Sequence, residues 1–579
     1  VLTVGVLFFT GQAVMAQKDS AKVQDIEEVV VVAFGKQKKE AITGSVTTVD
    51  EKVIANQQAP SVTGALQGTA VGVNIITTGG QPGNNPSIYI RGVGSINSST
   101  QPLIILDGSP FNGNINNISQ DQVESMTVLK DAGSTALYGS RASNGVIIIT
   151  TKKGKLNARP QATMTSLIGV GMPAVELHET LGGADFMKYS WQSIKNAKVA
   201  EGVANPGQAA TNTLINSLGY NPYNVANPID ANGNLVAGAN LLWDTNWEDA
   251  ILNKAAFKQE HRFNVSGGDA KTTYFLAADY LDLSGSVKSS NFERTGIRLN
   301  LESKVKDYLK VGMNSSFSSS SSNLPIQSGN TYGSSIQWIY SLPNIYPIFR
   351  RDANGALIKD GFGNNIYDYG ANGAGTLNSQ RPLFENENAV GALYNNYDIV
   401  KRSNFTVNGF AEIDLAKDLS FRTQLAYEQF MFDEKAYDNY AVGAAASVGG
   451  RVSQIRAVGK TINFTNSLNY DKSFGDHNIG LQGVFEVYQY TYDYLQAQGT
   501  GFLPGNDVLN TSTVPESIGG YVNRERLVRY LGRATYNFKN KYFLEGTFSQ
   551  DSSTKFSPDT RKGEFYGLGA SWVVSRENF

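Results

Sequence analysis

From Pro160 onward apolar and polar residues alternate with a period of two, which predicts extended strands with one dry and one wet face. Phe263 and Val265 alternate with Arg262, Asn264 and Ser266, and Ile297, Leu299 and Leu301 alternate with Arg298, Asn300 and Glu302. The same rhythm runs through Phe405, Val407, Ala411 and Ile413 and again through Leu419, Phe421, Leu425 and Tyr427. About twelve such strands are expected after Pro160. Their connections alternate in length. Gly267-Gly268-Asp269, Lys306-Asp307, Ala416-Lys417-Asp418, Ser473-Phe474-Gly475-Asp476 and Lys539-Asn540 are short, whereas long polar segments run at 172 to 256, 322 to 400, 434 to 450, 497 to 525 and 552 to 564. A soluble sandwich shares the period but rarely tolerates two structureless stretches of that length. Apolar-out strands with short turns on one side and long loops on the other are the pattern of an outer-membrane barrel. Tyr274, Tyr280, Tyr542, Tyr566 and Trp572 near strand ends suit its interfacial belts, although each also suits ordinary strand packing.

Residues 43–155 follow another pattern. Short apolar runs at Thr43–Val49, Val71–Thr77, Ile88–Arg91, Leu103–Leu106, Ser125–Leu129 and Gly145–Thr151 predict strands. Ser61 is placed to cap a short helix that Gly68 stops, Ser119 to cap a single turn, and Gly139 to end a helical stretch from Ala132 to Tyr138. Gly79 to Pro86 is a loop bound for the apical side, and Asp107-Gly108 closes a tight turn. The expectation is a small α+β unit with its own core.

Residues 1–16, VLTVGVLFFTGQAVMA, are apolar and end with Val14 and Ala16 at small-residue positions, the pattern of a secretory signal remnant lacking its Met and basic start. A buried terminal strand is the alternative. No later segment has the ~18 unbroken apolar residues of a membrane helix, so any membrane crossing falls to strands. Within the spacer at 17–42, Ile26, Glu27, Glu28, Val29, Val30, Val31 and Val32 form an extended segment. It reads equally as a first strand or as a handle that a partner recruits by strand addition.

Composition narrows the function classes. Forty-nine basic against 51 acidic residues leave a net charge of -2, so no global field favours nucleic acid. The 28 Tyr, 28 Phe and 59 Gly suit many strands and turns. The absence of Cys excludes disulfides, thiolate metal sites and a lipid anchor on Cys. His178, His261 and His477 lie far apart, so neither a metal nor another cofactor is expected. No phosphate-binding loop of the Walker type occurs, and Gly92-Val93-Gly94 falls short of a dinucleotide fingerprint. Glu412 and Asp414 imitate a glycosidase pair, but on an alternating strand they read as lumen-facing carboxylates in water. No enzyme is expected.

Five ordered motifs now carry a resemblance. Ile90-Arg91-Gly92, Leu106-Asp107-Gly108, Val128-Leu129-Lys130-Asp131, Tyr138-Gly139-Ser140-Arg141-Ala142-Ser143-Asn144-Gly145 and Thr150-Thr151-Lys152-Lys153-Gly154 resemble the plug domain of SusC/RagA-type TonB-linked outer-membrane transporters. The resemblance implies a small α+β plug domain followed by a transmembrane antiparallel β-barrel in the outer membrane. Such barrels use about 22 strands, so the barrel at 160–579 is expected to be truncated, a fragment at both ends. It implies that Ile26 to Val32 act as a TonB box, that TonB and a SusD-like surface lipoprotein are partners, and that the cargo is a large oligosaccharide or peptide. Many relatives carry a β-sandwich domain before the TonB box, whereas fewer than ten residues fill that gap here. A TonB-dependent siderophore or cobalamin receptor is the alternative, and a secreted β-rich hydrolase stands further off.

Arg91 and Arg141 sit in apolar or Gly-rich plug motifs, where a buried guanidinium requires a carboxylate. Inward-facing Glu302, Glu412, Glu428 and Glu545 are available, and plug–barrel contacts are expected at Arg91, Arg141, Glu302 and Glu412. The alternatives are that both arginines face water or that their partners lie in absent strands. Loop aromatics Tyr220, Tyr223, Trp243, Trp247, Trp338 and Tyr340 either stack on sugar rings or pack locally.

Overall fold

A computed structural model describes residues 29–32, 35–38, 44–57, 61–77, 81–97, 99–325, 334–371, 377–378 and 380–577. A hairpin of β1 (Val29–Val32) and β2 (Gly35–Lys38), with Val32 opposite Gly35, precedes the α+β unit. Seven short strands follow: β3 (Val46–Asp50), β4 (Val73–Ile76), β5 (Ser87–Ile90), β6 (Leu103–Leu106), β7 (Ser109–Pro110), β8 (Val123–Leu129) and β9 (Val146–Thr151). Five form a mixed sheet in the order β3-β8-β9-β6-β7, in which only β6 and β9 run parallel. β4 and β5 pair separately.

Strand β9 has a nearly continuous apolar run because both of its faces are covered. On one side Ile147 and Ile149 pack with Ile54 of α1 (Glu51–Gln57) and Leu66 of α2 (Val62–Leu66). On the other, Val146 and Ile148 join Leu137, Tyr138 and Ala142 with Val484 and Leu531, which belong to the barrel wall. The plug's second core is therefore completed by the barrel. Ser61 caps α2 by accepting from the Gly64 N–H at 3.4 Å. Asp107 (φ 49) and Gly108 (φ 87) make a two-residue left-handed turn between β6 and β7. Helix α1 was not anticipated from the residue pattern.

The wall is one antiparallel sheet of twelve strands paired in chain order. These are β10 (Gln161–Gly171), β11 (Ala256–Gly268), β12 (Thr272–Ser284), β13 (Asn291–Lys306), β14 (Leu309–Asn323), β15 (Tyr397–Ala416), β16 (Leu419–Asp438), β17 (Arg451–Phe474), β18 (His477–Thr500), β19 (Val514–Phe538), β20 (Tyr542–Ser553) and β21 (Lys562–Trp572). Strands β10 and β21 form its two edges, and no pairing joins them among the described residues. Polarity is inverted relative to a soluble sheet: Ile297 is 52% and Leu568 91% exposed, whereas Arg294 and Arg298 are 1% and 2% exposed. Apolar residues face lipid and charged residues face the plug. Strand β19 has 25 residues, well beyond the 9–11 that cross a bilayer, so the outer ends of the longest strands project past it. No helix is long and apolar enough to cross a membrane among the described residues.

The long connections depart from expectation. Instead of structureless loops, residues 172–255 and the described parts of 324–396 carry α4 (Gly183–Ala200), α5 (Pro206–Leu218), α6 (Trp247–Ile251), α7 (Ser335–Ser341) and α8 (Ala389–Asn395). Together they bury one apolar cluster that includes Met187, Trp191, Leu214, Trp247, Trp338 and Ile345. Pro206 opens α5 and Gly219, in the left-handed region (φ 72), closes it. These are helix signals that the overall polarity of the loops obscured.

Candidate functional site at the plug and barrel wall

Three polar clusters join the plug to the wall. The first is built around Tyr138-Gly139-Ser140-Arg141, where Gly139 (φ 60, ψ -144) breaks the helical turn and turns two peptide groups toward β19 and β20. A side chain at Gly139 would collide with Asp551 and Arg529, so the close approach requires glycine. The Ser140 N–H and hydroxyl donate to Asp551 at 2.9 and 3.0 Å. Arg141 donates to Glu486 at 3.0 Å and lies 4.2 Å from the centre of the Tyr488 ring. Fully buried Arg529 binds the second oxygen of Glu486 at 3.0 Å, Asp551 at 2.8 and 3.0 Å, and the Tyr138 carbonyl. Burial pushes the Tyr138 phenol well above its ordinary range, Glu486 reinforces the shift, and Arg529 and Arg141 oppose it. The phenol stays protonated, and the charge balance of the cluster is carried by two arginines and two carboxylates.

A second cluster centres on Asp107. Its carboxylate accepts from the Thr151 N–H at 2.9 Å, the Thr151 hydroxyl at 2.8 Å and Arg298 of the wall at 3.3 Å. Arg298 also donates to Gln122 at 2.9 Å, Gln122 to Asp279 at 2.8 Å, and Arg294 to Asp279 at 3.1 Å and the Asn116 carbonyl at 2.9 Å. In the third cluster, Glu428 accepts the backbone N–H groups of Asn112 and Gly113 at 2.9 and 2.8 Å, an anion cradle made of plug peptide groups. Asn112 also reaches Thr461 at 2.8 Å and Tyr488 at 3.2 Å.

The expected residues divide. Arg141 meets a wall carboxylate, but that residue is Glu486. Glu302 lies 3.3 Å from plug Lys153 and 2.8 Å from wall Lys310. Arg91 and Glu412 do not join plug to wall among the described residues. Arg91 sits at positive φ (59) on a turn after β5 and is exposed, and Glu412 pairs with Arg422 of the wall at 2.9 Å. Glu545 likewise pairs within the wall, with Arg533 at 2.8 Å. Most buried guanidinium groups of the junction come from wall strands, the reverse of the expected polarity. Their lumen-facing parity was visible in the sequence, but their plug partners lie more than a hundred residues away along the chain. Of the two alternatives for the loop aromatics, local packing describes Tyr220, Tyr223, Trp243, Trp247 and Trp338, all buried in or against the loop core, while Tyr340 alone of the six is exposed. Of the TonB-box residues, Val29 to Val32 form β1, while Ile26, Glu27 and Glu28 lie outside the described residues. No cluster of three or more potential metal ligands occurs among the described residues.

A plug keyed by buried charges to an inside-out antiparallel sheet is the architecture of a plugged outer-membrane β-barrel. Residues 38–146 match the family described as TonB-dependent Receptor Plug Domain, and nearly the whole chain aligns with receptors of the SusC/RagA type. It is 29% identical over 98% of its length to TonB-dependent receptor P3 of Formosa agariphila and 27% identical over 97% to TonB-dependent receptor SusC of Bacteroides thetaiotaomicron. It covers 50% and 52% of those two proteins, so the chain spans about half the length of the curated relatives it matches. The structure of the RagAB peptide importer in the 'open-open' state has the same fold, with a TM-score of 0.74, 24% identity, and coverage of 95% of this chain and 60% of that one.

Proposed function

We propose that the chain serves TonB-dependent active import of a large nutrient, an oligosaccharide or peptide, across the outer membrane. TonB captures the segment from Ile26 to Val32, and a SusD-like lipoprotein closes over the outer loops. The observation that carries this reading is the junction itself: the plug packs its second core on Val484 and Leu531 and is pinned at Glu428, Glu486, Asp551 and Arg298. Buried pairs of that kind cost several kcal/mol to break one partner at a time, so passage requires work delivered to the plug. The β1–β2 hairpin supplies a handle, because an isolated two-stranded ribbon is marginal and its strand can be surrendered to a partner. In this scheme Arg141 and Glu302 seat the plug, and import needs no enzymatic activity. The relatives named as TonB-dependent receptors and the neighbour titled a peptide importer support the class.

The test is uptake by cells carrying the full-length receptor. Val30→Pro removes a backbone N–H needed for strand addition and is expected to abolish uptake of fluorescent oligosaccharides or peptides at unchanged surface abundance. Unimpaired uptake by that variant sinks the proposal. Saturable uptake of a ferric chelate or cobalamin in place of glycans and peptides favours the siderophore or cobalamin receptor.

A further inference from the structure

The outward face of the wall, away from the plug, carries an unbalanced set of cations just beyond its apolar band. Thr461 of β17 and Arg529 of β19 touch the plug, so Lys460, Arg524 and Arg526, of the opposite parity, point outward, and all three are exposed. Lys460 stands one outward position beyond Ile462, Arg526 one beyond Val528 and Arg524 one further, where a lipid-facing strand gives way to water. Lys460 and Arg524 flank Thr491 of β18 from its two sides, about 10 Å apart at two strand spacings. Lys401 on β15 and Arg456 on β17 continue the set with the same outward parity. The outward carboxylates among them are Asp433, 4.0 Å from Arg456, and Asp493, so five cations face two anions. On β12 and β13 the sign reverses at the corresponding level, where Asp282 stands opposite Glu293.

Inward of these cations the same face is grooved. Two adjoining hollows of about 510 and 680 Å³ share Leu468, Gly483, Gly532 and Phe548 and together run from Tyr530 to Leu568. Phe485 and Tyr530, with ring centres 5.3 Å apart, close the end nearer the cations. No heavy atom stands within 4 Å of where a side chain would begin at Gly483 or Gly532, which leaves the floor open. Gly532 lies six residues inward of Arg526, about 20 Å along the strand, or about 15 Å of depth at a tilt near 40°. That depth is about one leaflet of a bilayer. A chain entering beside Arg526 therefore reaches the groove with its tail, and an apolar tail there gains contacts that a flat wall does not offer.

We propose that this face is a docking site for a phosphorylated, multiply acylated glycolipid of the outer leaflet. Its phosphate sits among Lys460, Arg524 and Arg526, where guanidinium groups supply charge-assisted hydrogen bonds. The cations are spread more widely than one phosphate, and Gln429, Gln489 and Thr491, of the same outward face, lie beside or between them to meet sugar hydroxyls. An acyl chain occupies the groove over Gly532. The site lies outside the lumen, so it stands whatever cargo the receptor carries.

Lipid titration of the detergent-purified full-length receptor, read by native mass spectrometry, tests it. The probes are a phosphorylated, multiply acylated disaccharide, its dephosphorylated form and phosphatidylglycerol. The parent is expected to hold the phosphorylated glycolipid about tenfold or more tightly than either of the others. The triple variant Lys460→Gln/Arg524→Gln/Arg526→Gln loses that preference, whereas Lys304→Gln/Lys306→Gln/Lys539→Gln, which removes as many charges beside the short turns, keeps it. Gly532→Leu fills the groove and is expected to weaken binding of both glycolipid forms severalfold while the preference for phosphate survives. Equal binding of the two glycolipid forms by the parent, tighter binding of phosphatidylglycerol, or a triple variant no different from its charge-matched control would each overturn the site. Parent-like binding by Gly532→Leu would overturn the placement of the chain. A receptor dimer that Gly532→Leu dissolves would give the groove to a second copy of the chain and overturn the lipid reading.

Discussion

Arg141 of the plug and Glu486 of the wall meet at 3.0 Å, and the other oxygen of the same carboxylate holds Arg529 at 3.0 Å. Glu486 therefore bridges a residue that must move with the plug and one that stays with the barrel. Two carboxylates and two guanidinium groups balance only while the plug is seated; its displacement takes away Arg141 and the Tyr138 carbonyl and leaves Arg529 alone with Glu486 and Asp551.

The first consequence concerns leakage. In the full-length receptor, Arg141→Ala removes one tie and leaves Glu486 to Arg529, so the plug loosens without losing its core. Sensitivity of cells to a bulky antibiotic normally excluded by the outer membrane is expected to rise severalfold. Arg91→Ala is expected to match the parent, because Arg91 is exposed on its turn. Equal sensitivity of the Arg141 variant and the parent would remove Arg141 from the seating contacts.

Gly139 offers a sharper perturbation. A methyl group there meets Asp551 and Arg529 and also sits at φ 60, ψ -144, a conformation that L-residues rarely adopt. Gly139→Ala is expected to cost about 1–3 kcal/mol from backbone strain alone, before the displaced ion cluster is counted. Limited proteolysis of the plug in outer-membrane vesicles reads the result, with cleavage rising well above that of Ser143→Ala, a change on the same segment at an exposed position.

How much of this was legible in the residue pattern depends on range. Alternation located the wall strands and their short turns because period and turn chemistry are local, and Ser61 and Asp107-Gly108 announced their cap and turn for the same reason. Helix α1 was missed because Val53, Ile54 and Asn56 make a weak helix sequence; its start is set by Asp50, whose carboxylate accepts the Val53 N–H at 3.0 Å. Met187, Trp191 and Ile194 have helical spacing within α4, but the polar loop around them masked it. The junction was the least legible. Arg298 reads only as a wet-face position of an alternating strand, Arg529 carries no signal of its own, and only the fold brings Asp107 and Tyr138 to them. Arg91 misled because its apolar neighbours suggested burial while a left-handed turn points it outward.

The outer-loop core predicts a separable defect. Trp191 and Trp338 are almost fully buried, and Trp338 packs edge-on to Trp247 at 5.2 Å. Replacing either with Ala deletes a core side chain, at a cost of about 3–5 kcal/mol to the loop unit. Neither residue touches the plug junction, so the antibiotic barrier is expected to hold while trypsin cleaves the outer loops on intact cells. A leaky barrier without loop cleavage would show that the loop core and the plug are not separable in this way.

Alkaline pH reaches the same loop unit through its phenols. Burial pushes Tyr346 up to about 12, with Arg381 opposing the shift, and its hydroxyl donates to the Leu218 carbonyl at 3.1 Å. Tyr220 is also raised, first by burial and then by Asp368, whose two oxygens accept its hydroxyl at 2.8 Å. A raised phenol is protonated in both folded and unfolded loops below its ordinary value near 10, so its contribution is complete there. Above that value the unfolded loop releases protons that the folded one retains, and stability falls as pH climbs toward about 12. Loop proteolysis on intact cells should therefore be flat through neutral pH and rise above pH 10. Tyr346→Phe gives up the hydrogen bond to Leu218 but has no proton to release, so its proteolysis should begin slightly higher and climb less steeply across that window. Identical alkaline slopes for the variant and the parent would mean that ionisation of Tyr346 plays no part in holding α5 to the segment after α7.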